Sequence, residues 1–346
     1  MDIYKALAII LVVIGHSNSP INGYIYTFHI AAFFFISGYT SNLQTETTKR
    51  YLYKKIRTLL VPYFSINIFY YLLVFVLGMF SLGKLFYPTP IDFFLQIKML
   101  FSHLQTADIG GATWFLIVLF EVSVFAKILY SLVKRLSLKP LVMLLVSLLA
   151  LVYAYSLYNK GIYYPYLLDL TLNALFYYVL GFFCKQNNVI EGKIDMKYAL
   201  PLAICSTFFF TNIIFAGVNW PTRYFSSLVF DVIASLSGAY ILYCLSVAFQ
   251  KMYFLKKILI YVGQRTLAIF IFHFFVFRFI FALFYLMGIC EVNQLSSLVP
   301  LNSQHWILIT VLSIMTALLL EFIVSKSSYL AFFFFGKNKK YFSRNE

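Results

Sequence analysis

Long apolar runs separated by short polar segments dominate this chain from end to end. Ten of these runs approach the roughly 20 residues that an α-helix needs to cross a bilayer, the first two being slightly short. The pattern predicts an all-α, polytopic integral membrane protein with about ten transmembrane helices in one bundle. The predicted spans are residues 3–19, 24–41, 60–82, 113–133, 140–158, 166–184, 198–217, 226–249, 264–288 and 305–326.

Composition strengthens this prediction and excludes an ordinary soluble domain. Of the 346 residues, 62% are hydrophobic and 11% are charged, whereas soluble domains carry about 25% charged residues. The net charge of +15 could suggest nucleic acid as a partner. However, the cations lie in short loops between apolar runs and no nucleic-acid motif is present, so we expect membrane lipids and no nucleic acid among the partners.

The distribution of Lys and Arg predicts the orientation. If the N-terminus is cytoplasmic, the loops on that side hold 19 Lys and Arg and the outer segments hold four. Since cytoplasmic loops are enriched in these residues, both termini are predicted to be cytoplasmic, in a multi-pass protein of a bacterial inner or plasma membrane. We expect one transmembrane domain over 1–336 and a basic cytoplasmic tail over 337–346.

The N-terminal run is predicted to be a retained span and not a signal peptide, because its basic region is poor and no small-residue cleavage site follows it. Its abrupt beginning leaves open whether native residues precede Met1. The four cysteines are scattered and form no CxxC pair. Buried thiols are therefore expected, with neither a metal site nor a disulfide.

Two ionisable residues on the first span are the leading candidates for chemistry. Lys5 and His16 are eleven positions apart, which is about 16 Å and three turns of one helix, so both face nearly the same way. Ionisable groups within a span are costly and suggest function. A neutral imidazole can take a proton from a hydroxyl, and a cation can hold a phosphate or a thioester carbonyl. For Lys5 the alternative is a lysine that snorkels to the cytoplasmic headgroups, and Asp2 is placed to pair with it at positions i and i+3. For His16 the alternative is an interfacial histidine bonded to the backbone.

Further candidates lie on later spans. His29 opens the second span, and the short preceding loop predicts that it neighbours His16, with Asn18 between them. Arg278 lies in the outer half of the ninth span and needs a carboxylate, a carbonyl or water there. Arg265 and His273 are eight apart and share a helix face. Trp114 follows the longest outer loop and is a candidate contact residue; the alternative is that it belongs to the aromatic belt at the membrane interface.

Several of these residues fall in segments that resemble the membrane-bound acyltransferase 3 family. Lys5 and His16 match its motif of Arg or Lys, ten residues and His. Phe28-His29-Ile30-Ala31-Ala32 is similar to its second-span motif, usually Phe-His-Met-Pro-Leu, without the proline. Weaker similarities lie at the entry to the third span (Arg57 with 59–63), at the fourth span (114–116) and in a late Gly…Ser-Leu…His pattern (263–267 with His273), where Thr266 replaces the usual Ser. The most similar subgroup is the fucose 4-O-acetylase-like proteins.

This resemblance implies a membrane O-acetyltransferase that moves an acetyl group from cytoplasmic acetyl-CoA to a cell-surface polysaccharide or its lipid-linked precursor. It implies His16 as the general base, either on the sugar hydroxyl or in a covalent relay, with His29 and Lys5 as the other catalytic residues. It also implies cations for the CoA phosphates and polar or aromatic contacts to the substrate. The residues concerned are Lys5, Arg57 and Arg265 for CoA, and Asn18, Trp114 and Arg278 for the substrate.

Two other functions remain open from the sequence. A transporter or flippase for a lipid-linked sugar would also have ten or more spans and intramembrane charges, but such proteins often contain repeated halves and paired broken helices, which we do not find. The second alternative is an inactive relative that acts as a channel or assembly protein. The retention of Lys5, His16 and His29 argues against this alternative.

Overall fold

The computed structural model describes residues 1–80, 92–192, 196–212, 217–288 and 305–337. The predicted tail over 337–346 lies outside these residues except for Lys337. The helices are α1 (Asp2–Gly15), α2 (Asn22–Tyr26), α3 (His29–Tyr39), α4 (Thr48–Lys55), α5 (Val61–Met79), α6 (Phe93–His103), α7 (Trp114–Arg135), α8 (Leu141–Asn159), α9 (Leu168–Gln186), α10 (Val189–Gly192), α11 (Met196–Asn212), α12 (Leu228–Phe249), α13 (Tyr253–Gly263), α14 (Thr266–Leu286), α15 (Trp306–Ser325) and α16 (Ser328–Phe335).

Short irregular elements join several helices. A π-helical turn over Ile56–Leu60 leads into α5, and 3₁₀ turns over Asp108–Thr113 and Pro165–Leu167 lead into α7 and α9. Two short antiparallel strands, β1 (Val218–Asn219) and β2 (Tyr224–Phe225), pair between α11 and α12.

The helical content confirms the prediction of an all-α, polytopic membrane protein. Within the described ranges, seven helical segments are long and apolar enough to cross a membrane. They correspond to seven of the ten predicted spans. Their bounds are Thr48–Met79, Ile109–Arg135, Leu141–Asn159, Pro165–Gln186, Leu228–Phe249, Thr266–Leu286 and Trp306–Ser325.

The other three predicted spans correspond to shorter helices. α1 has 14 residues and α11 has 17. The predicted span over 24–41 is divided into α2 and α3 at Phe28, whose φ of −138° is not helical. The Thr27 hydroxyl bonds the Tyr24 carbonyl and the His29 ring bonds the Ile25 carbonyl, so side chains occupy acceptors at the end of α2.

The described residues pack into two compact units. The first comprises Met1–Leu11, Ile21–Tyr53 and Val118–Gln264, and the second comprises Val12–Pro20, Lys54–Ile117 and Arg265–Glu346, each as far as it is described. Residues of α1 belong to both units: Lys5 lies in the first, and the end of α1 with the following His16 lies in the second.

The first unit is built on close helix packing around α9, which contacts α3 and α8. Gly38 on α3 lies against the Tyr178 carbonyl of α9, and Gly181 on α9 lies against the Phe35 carbonyl of α3; a Cβ at either glycine would overlap the opposite backbone. Small residues that let two backbones approach are typical of helix pairs in membranes. This packing fixes α3, and therefore the position of His29.

The first unit also buries Asp169 and Asp231 and half-buries Glu121, and each of these acids has a partner. Asp169 pairs with Arg223 at 3.0 Å, and the Thr171 hydroxyl donates to Glu121. Asp231 accepts hydrogen bonds from the Tyr155 hydroxyl at 3.1 Å and from the Ser226 hydroxyl at 2.7 Å. These bonds compensate the cost of burying carboxylates away from water.

The second unit is organised around α14, which contacts α15, α16 and the 3₁₀ turn over Asp108–Thr113. The Tyr70 hydroxyl on α5 donates to the Ile271 carbonyl of α14 at 2.5 Å, and both groups are buried. A tyrosine hydroxyl buried in this way needs such a partner. α14 is thereby held against α5, with His273 two residues beyond the bonded carbonyl.

Candidate functional site

His16 lies immediately after α1, where the chain leaves the helix. Its amide bonds the Val12 carbonyl at 3.1 Å, and the Ser17 hydroxyl bonds the Ile14 carbonyl at 2.8 Å. Asn18 adopts a left-handed φ of 56°, a conformation that Asn tolerates better than most residues. The end of α1 therefore presents His16 and Asn18 on a turn and not on a continuing helix.

A second histidine lies beside His16 in the same unit. The rings of His16 and His273 are stacked, with centroids 5.6 Å apart and an interplanar angle of 30°. Phe274 contacts both imidazoles, at centroid distances of 4.6 Å from His16 and 4.5 Å from His273. The two rings stand side by side within aromatic surroundings, a geometry that offers two proton-accepting groups to one small volume.

The hydrogen bonds of His273 determine its tautomer. The ring is fully buried, and its Nδ1 lies 2.7 Å from the Phe270 carbonyl and 3.2 Å from the Ile269 carbonyl. Because carbonyl oxygens only accept, Nδ1 carries the proton and Nε2 carries the lone pair. Nε2 is buried and has no hydrogen-bond partner among the described residues. Such a nitrogen can accept a proton or a hydrogen bond from a substrate.

The 3₁₀ turn before α7 positions Phe274. Gly111 in this turn has a φ of 47°, and a Cβ there would overlap the Phe274 ring. Only glycine satisfies both the left-handed conformation and the contact without strain. The turn over Asp108–Thr113 is thus connected, through one aromatic ring, to the histidine pair.

A buried amide holds this turn in place. Asn67 on α5 accepts a hydrogen bond from the Ala107 amide at 2.7 Å and one from the Thr113 hydroxyl at 3.3 Å. Its own amide donates to the Tyr63 carbonyl at 2.8 Å. Trp114 follows directly as the first residue of α7 and is half-buried. The structure therefore places Trp114 in the same unit as His16, at the end of a fixed turn.

Arg265 lies at the start of α14 in an ion-pair network. Its Nε is 3.3 Å from one oxygen of Glu321 on α15, and Lys337 pairs with the other oxygen. The Ser325 hydroxyl also donates to Glu321 at 3.1 Å. Arg265 is therefore partly neutralised by a carboxylate that the sequence did not indicate.

Arg57 lies close to this network through the end of α16. Gly336, next to Lys337 in the chain, packs against the backbone of Arg57 in the π-helical turn. Arg57 is half-buried, and its Nε is buried without a hydrogen-bond partner in the part of the chain that the structure describes. In the second unit, Arg265 and Lys337 thus share one acid, Glu321, and the backbone of Arg57 lies against Gly336 beside them.

Arg278 is buried on α14, with 3% of its surface exposed. It follows His273 by five residues, which corresponds to about 7.5 Å along the helix and roughly 140° around it. Arg278 therefore shares the helix of the histidine pair but lies on a different face.

The remaining predicted residues lie in the first unit. Lys5 pairs with Asp2 at 3.8 Å, which confirms the predicted pairing between positions i and i+3. His29 is buried, its Nδ1 lies 2.9 Å from the Ile25 carbonyl, and its ring meets the Tyr26 ring edge-on at 5.1 Å. The expected neighbourhood of His29 and His16 stays a prediction.

Sequence reasoning left several residues out of the predicted catalytic set. His273 had a usable signal, because an intramembrane histidine eight residues after an arginine was visible in the sequence. Gly111 and Phe274 had none that distinguished them from other glycines and phenylalanines. Asn67 and Lys337 become relevant only through contacts with distant segments.

Comparison with known proteins gives one finding. A family model described as an acyltransferase domain matches residues 1–326. Searches of curated proteins and of solved structures each found no match.

Proposed function

The chain belongs to the acyltransferase 3 family and is a multi-pass membrane acyltransferase, and we propose that the group it moves is an acetyl. The donor is cytoplasmic acetyl-CoA. The acceptor is a hydroxyl of a cell-surface polysaccharide or its lipid-linked precursor. The enzyme resides in a bacterial inner or plasma membrane with both termini in the cytoplasm, as the distribution of Lys and Arg favours.

The observation that carries this proposal is the stacked pair of His16 and His273. His16 is the histidine of the family-like motif, and the second ring lies 5.6 Å away with a free lone pair on Nε2. Acyl transfer to a hydroxyl needs a positioned base near neutral pH, and neutral imidazole meets that need.

In the proposed reaction, His16 carries one proton from the acceptor hydroxyl to the CoA thiolate, so no further acid or base is consumed. His16 takes the proton from the acceptor hydroxyl as its oxygen attacks the thioester carbonyl. The new C–O bond forms, the C–S bond breaks, and the proton passes from His16 to the departing CoA thiolate. Asn18, His29 and tyrosine hydroxyls are the candidate donors to the developing oxyanion, the position where such donors contribute most.

Cations support binding of the donor. Lys5, Arg57 and Arg265 are the proposed contacts for the CoA phosphates, since Arg and Lys form charge-assisted hydrogen bonds to phosphate. Binding there requires competition with Glu321, which already pairs with Arg265. Asn18, Trp114 and Arg278 are proposed to contact the acceptor.

The test uses sealed vesicles that carry the protein with its acceptor pool, supplied with acetyl-labelled acetyl-CoA on the cytoplasmic side. His16→Ala is expected to lower transfer of label to glycan by about 10³-fold, because loss of a general base removes a contribution of this order. His103→Ala is the matched control, since His103 is exposed at the end of α6 and is expected to leave transfer unchanged.

Two outcomes would contradict the proposal. Equal labelling by wild type and His16→Ala would remove His16 from the mechanism. Absence of labelled glycan, together with movement of unmodified glycan across the membrane, would favour a flippase over a transferase.

A further inference from the structure

A cavity of about 520 Å³ lies in the first unit, and no histidine is among its lining residues. The segment over 44–48 forms one wall and the C-terminal end of α7 forms the other. Three cations and one acid, Glu46, line it together with several hydroxyl groups. The hydroxyl groups and the two cations from the end of α7 come from Thr45, Thr47, Thr48, Ser131, Lys134 and Arg135.

Lys127 fixes the loop that forms this cavity. Its side chain is almost fully buried, and its Nζ donates to the Leu43 carbonyl at 2.5 Å and to the Glu46 carbonyl at 2.6 Å. The same ammonium lies 5.6 Å from the ring centroids of Tyr51 and Tyr130. A buried cation that bonds two carbonyls of one loop ties that loop to α7, because leaving either the charge or the carbonyls unpaired would be costly.

The N-terminus of α4 forms part of the wall. The Tyr51 amide bonds the Thr47 carbonyl at 2.9 Å, and the Arg50 amide bonds the Thr47 hydroxyl at 3.4 Å. α4 therefore begins at Thr48 within the cavity lining. The partial positive charge of a helix N-terminus favours an anion at this position.

Two exposed cations face the same cavity from α7. Lys134 and Arg135 are its last two residues, both are exposed, and both line the cavity. Basic side chains, threonine and serine hydroxyls and a helix N-terminus are together the groups that bind phosphate.

We propose that this cavity binds a phosphate group of the acyl donor, at its phosphorylated adenosine end. This inference rests on the proposed function, which supplies CoA as donor, and on the predicted cytoplasmic location of the loops over 42–58 and 134–139. The cations over 134–135 were not among the residues predicted to contact CoA. An anionic lipid headgroup offers the same phosphate chemistry, and the experiment separates these two sources.

The test measures binding of adenosine 3′,5′-bisphosphate to the purified full-length protein in neutral detergent. The double variant Lys134→Ala/Arg135→Ala is expected to weaken binding by at least about tenfold, because it removes two charge-assisted contacts. The matched control is Lys256→Ala/Lys257→Ala, which removes the same charge from exposed residues of α13 that do not line the cavity. The control is expected to bind within about twofold of wild type.

A second arm tests the lipid source. Wild type, the cavity variant and the control are reconstituted in phosphatidylcholine with phosphatidylglycerol, and bound phosphatidylglycerol is measured. Loss of bisphosphate binding in the cavity variant alone supports the proposal. Loss of phosphatidylglycerol alone retains a phosphate site but overturns its assignment to the donor. Equal binding of both probes by all three proteins overturns the site altogether.

Two further measurements keep these outcomes interpretable. Thermal unfolding and gel filtration show whether the cavity variant is folded, and Lys134→Arg/Arg135→Lys, which keeps both charges, is expected to restore most of the binding. Because binding is measured without turnover, bisphosphate binding in a protein that transfers no acetyl group would retain the site and contradict the proposed function. If the protein transfers acetyl groups and its cavity variant binds the bisphosphate as wild type does, the proposed function is retained and the site is contradicted.

Discussion

His29 in the first unit and His273 in the second are nearly identical by the usual local criteria. Each ring is buried, at 1% and 0% exposure, and each directs Nδ1 at the carbonyl four residues earlier, Ile25 and Ile269. Their neighbours differ. His29 meets a tyrosine edge, whereas His273 stacks on a second imidazole. Burial and backbone bonding therefore do not distinguish a reactive histidine from a structural one. The distinction lies in the side chain that contacts the imidazole, a tyrosine in one case and a second histidine in the other.

Among the substitutions that test this comparison, the largest effect is expected from His273→Asn. The asparagine amide can still donate to the Phe270 carbonyl, but it has no nitrogen in the place of Nε2. If Nε2 receives a proton or hydrogen bond from substrate, turnover falls by about 100-fold with little change in donor KM. Steady-state transfer in reconstituted vesicles measures this, and unchanged turnover would reduce His273 to a packing residue.

A smaller loss is expected from Gly111→Ala. The added methyl must displace Phe274, and the alanine must adopt a φ of 47°, so the ring that contacts both histidines moves. Misplacement of reacting groups by a fraction of an ångström gives a loss of about 30-fold. Gly78→Ala is the control, because a Cβ at Gly78 on α5 meets open space. Equal transfer by both variants would show that the turn does not position the pair.

His29→Asn makes the same substitution in the other region and is expected to cost about tenfold in turnover. The amide keeps a donor for the Ile25 carbonyl, and this variant removes an electrostatic contributor and not the base. The comparison with His273→Asn is direct, since both are assayed with the same donor and acceptor. If His29→Asn lowered turnover more than His273→Asn does, His29 in the first unit would be the more important histidine for catalysis.

Gly181→Ala tests the scaffold that carries His29 and is expected to affect turnover least. The methyl would overlap the Phe35 carbonyl, so α3 and α9 must separate. Overpacking of this kind costs about 1–3 kcal/mol of stability. A lowered midpoint of thermal unfolding is expected, with near-normal transfer per folded molecule. An unchanged midpoint would mean that the helices adjust without cost.

The sequence determined the membrane class, the positions of seven long spans and the family, because these depend on apolar runs and on motifs within single segments. It also placed Lys5, His16 and His29 as candidates, because an ionisable side chain in an apolar run stands out without any knowledge of packing. The division between α2 and α3 was less accessible, since it depends on bonds from Thr27 and His29 to particular carbonyls.

The tertiary structure alone decided which side chains meet. His16 and His273 are 257 positions apart in the chain, and their stacking follows from how α1, α14 and the turn at Gly111 pack. The pairing of Arg265 with Glu321 and the contact of Lys127 with the loop over 43–46 have the same origin. Helical periodicity gives the face of a residue on its own helix, but the partner on another helix depends on the packing of whole surfaces, which no local pattern encodes.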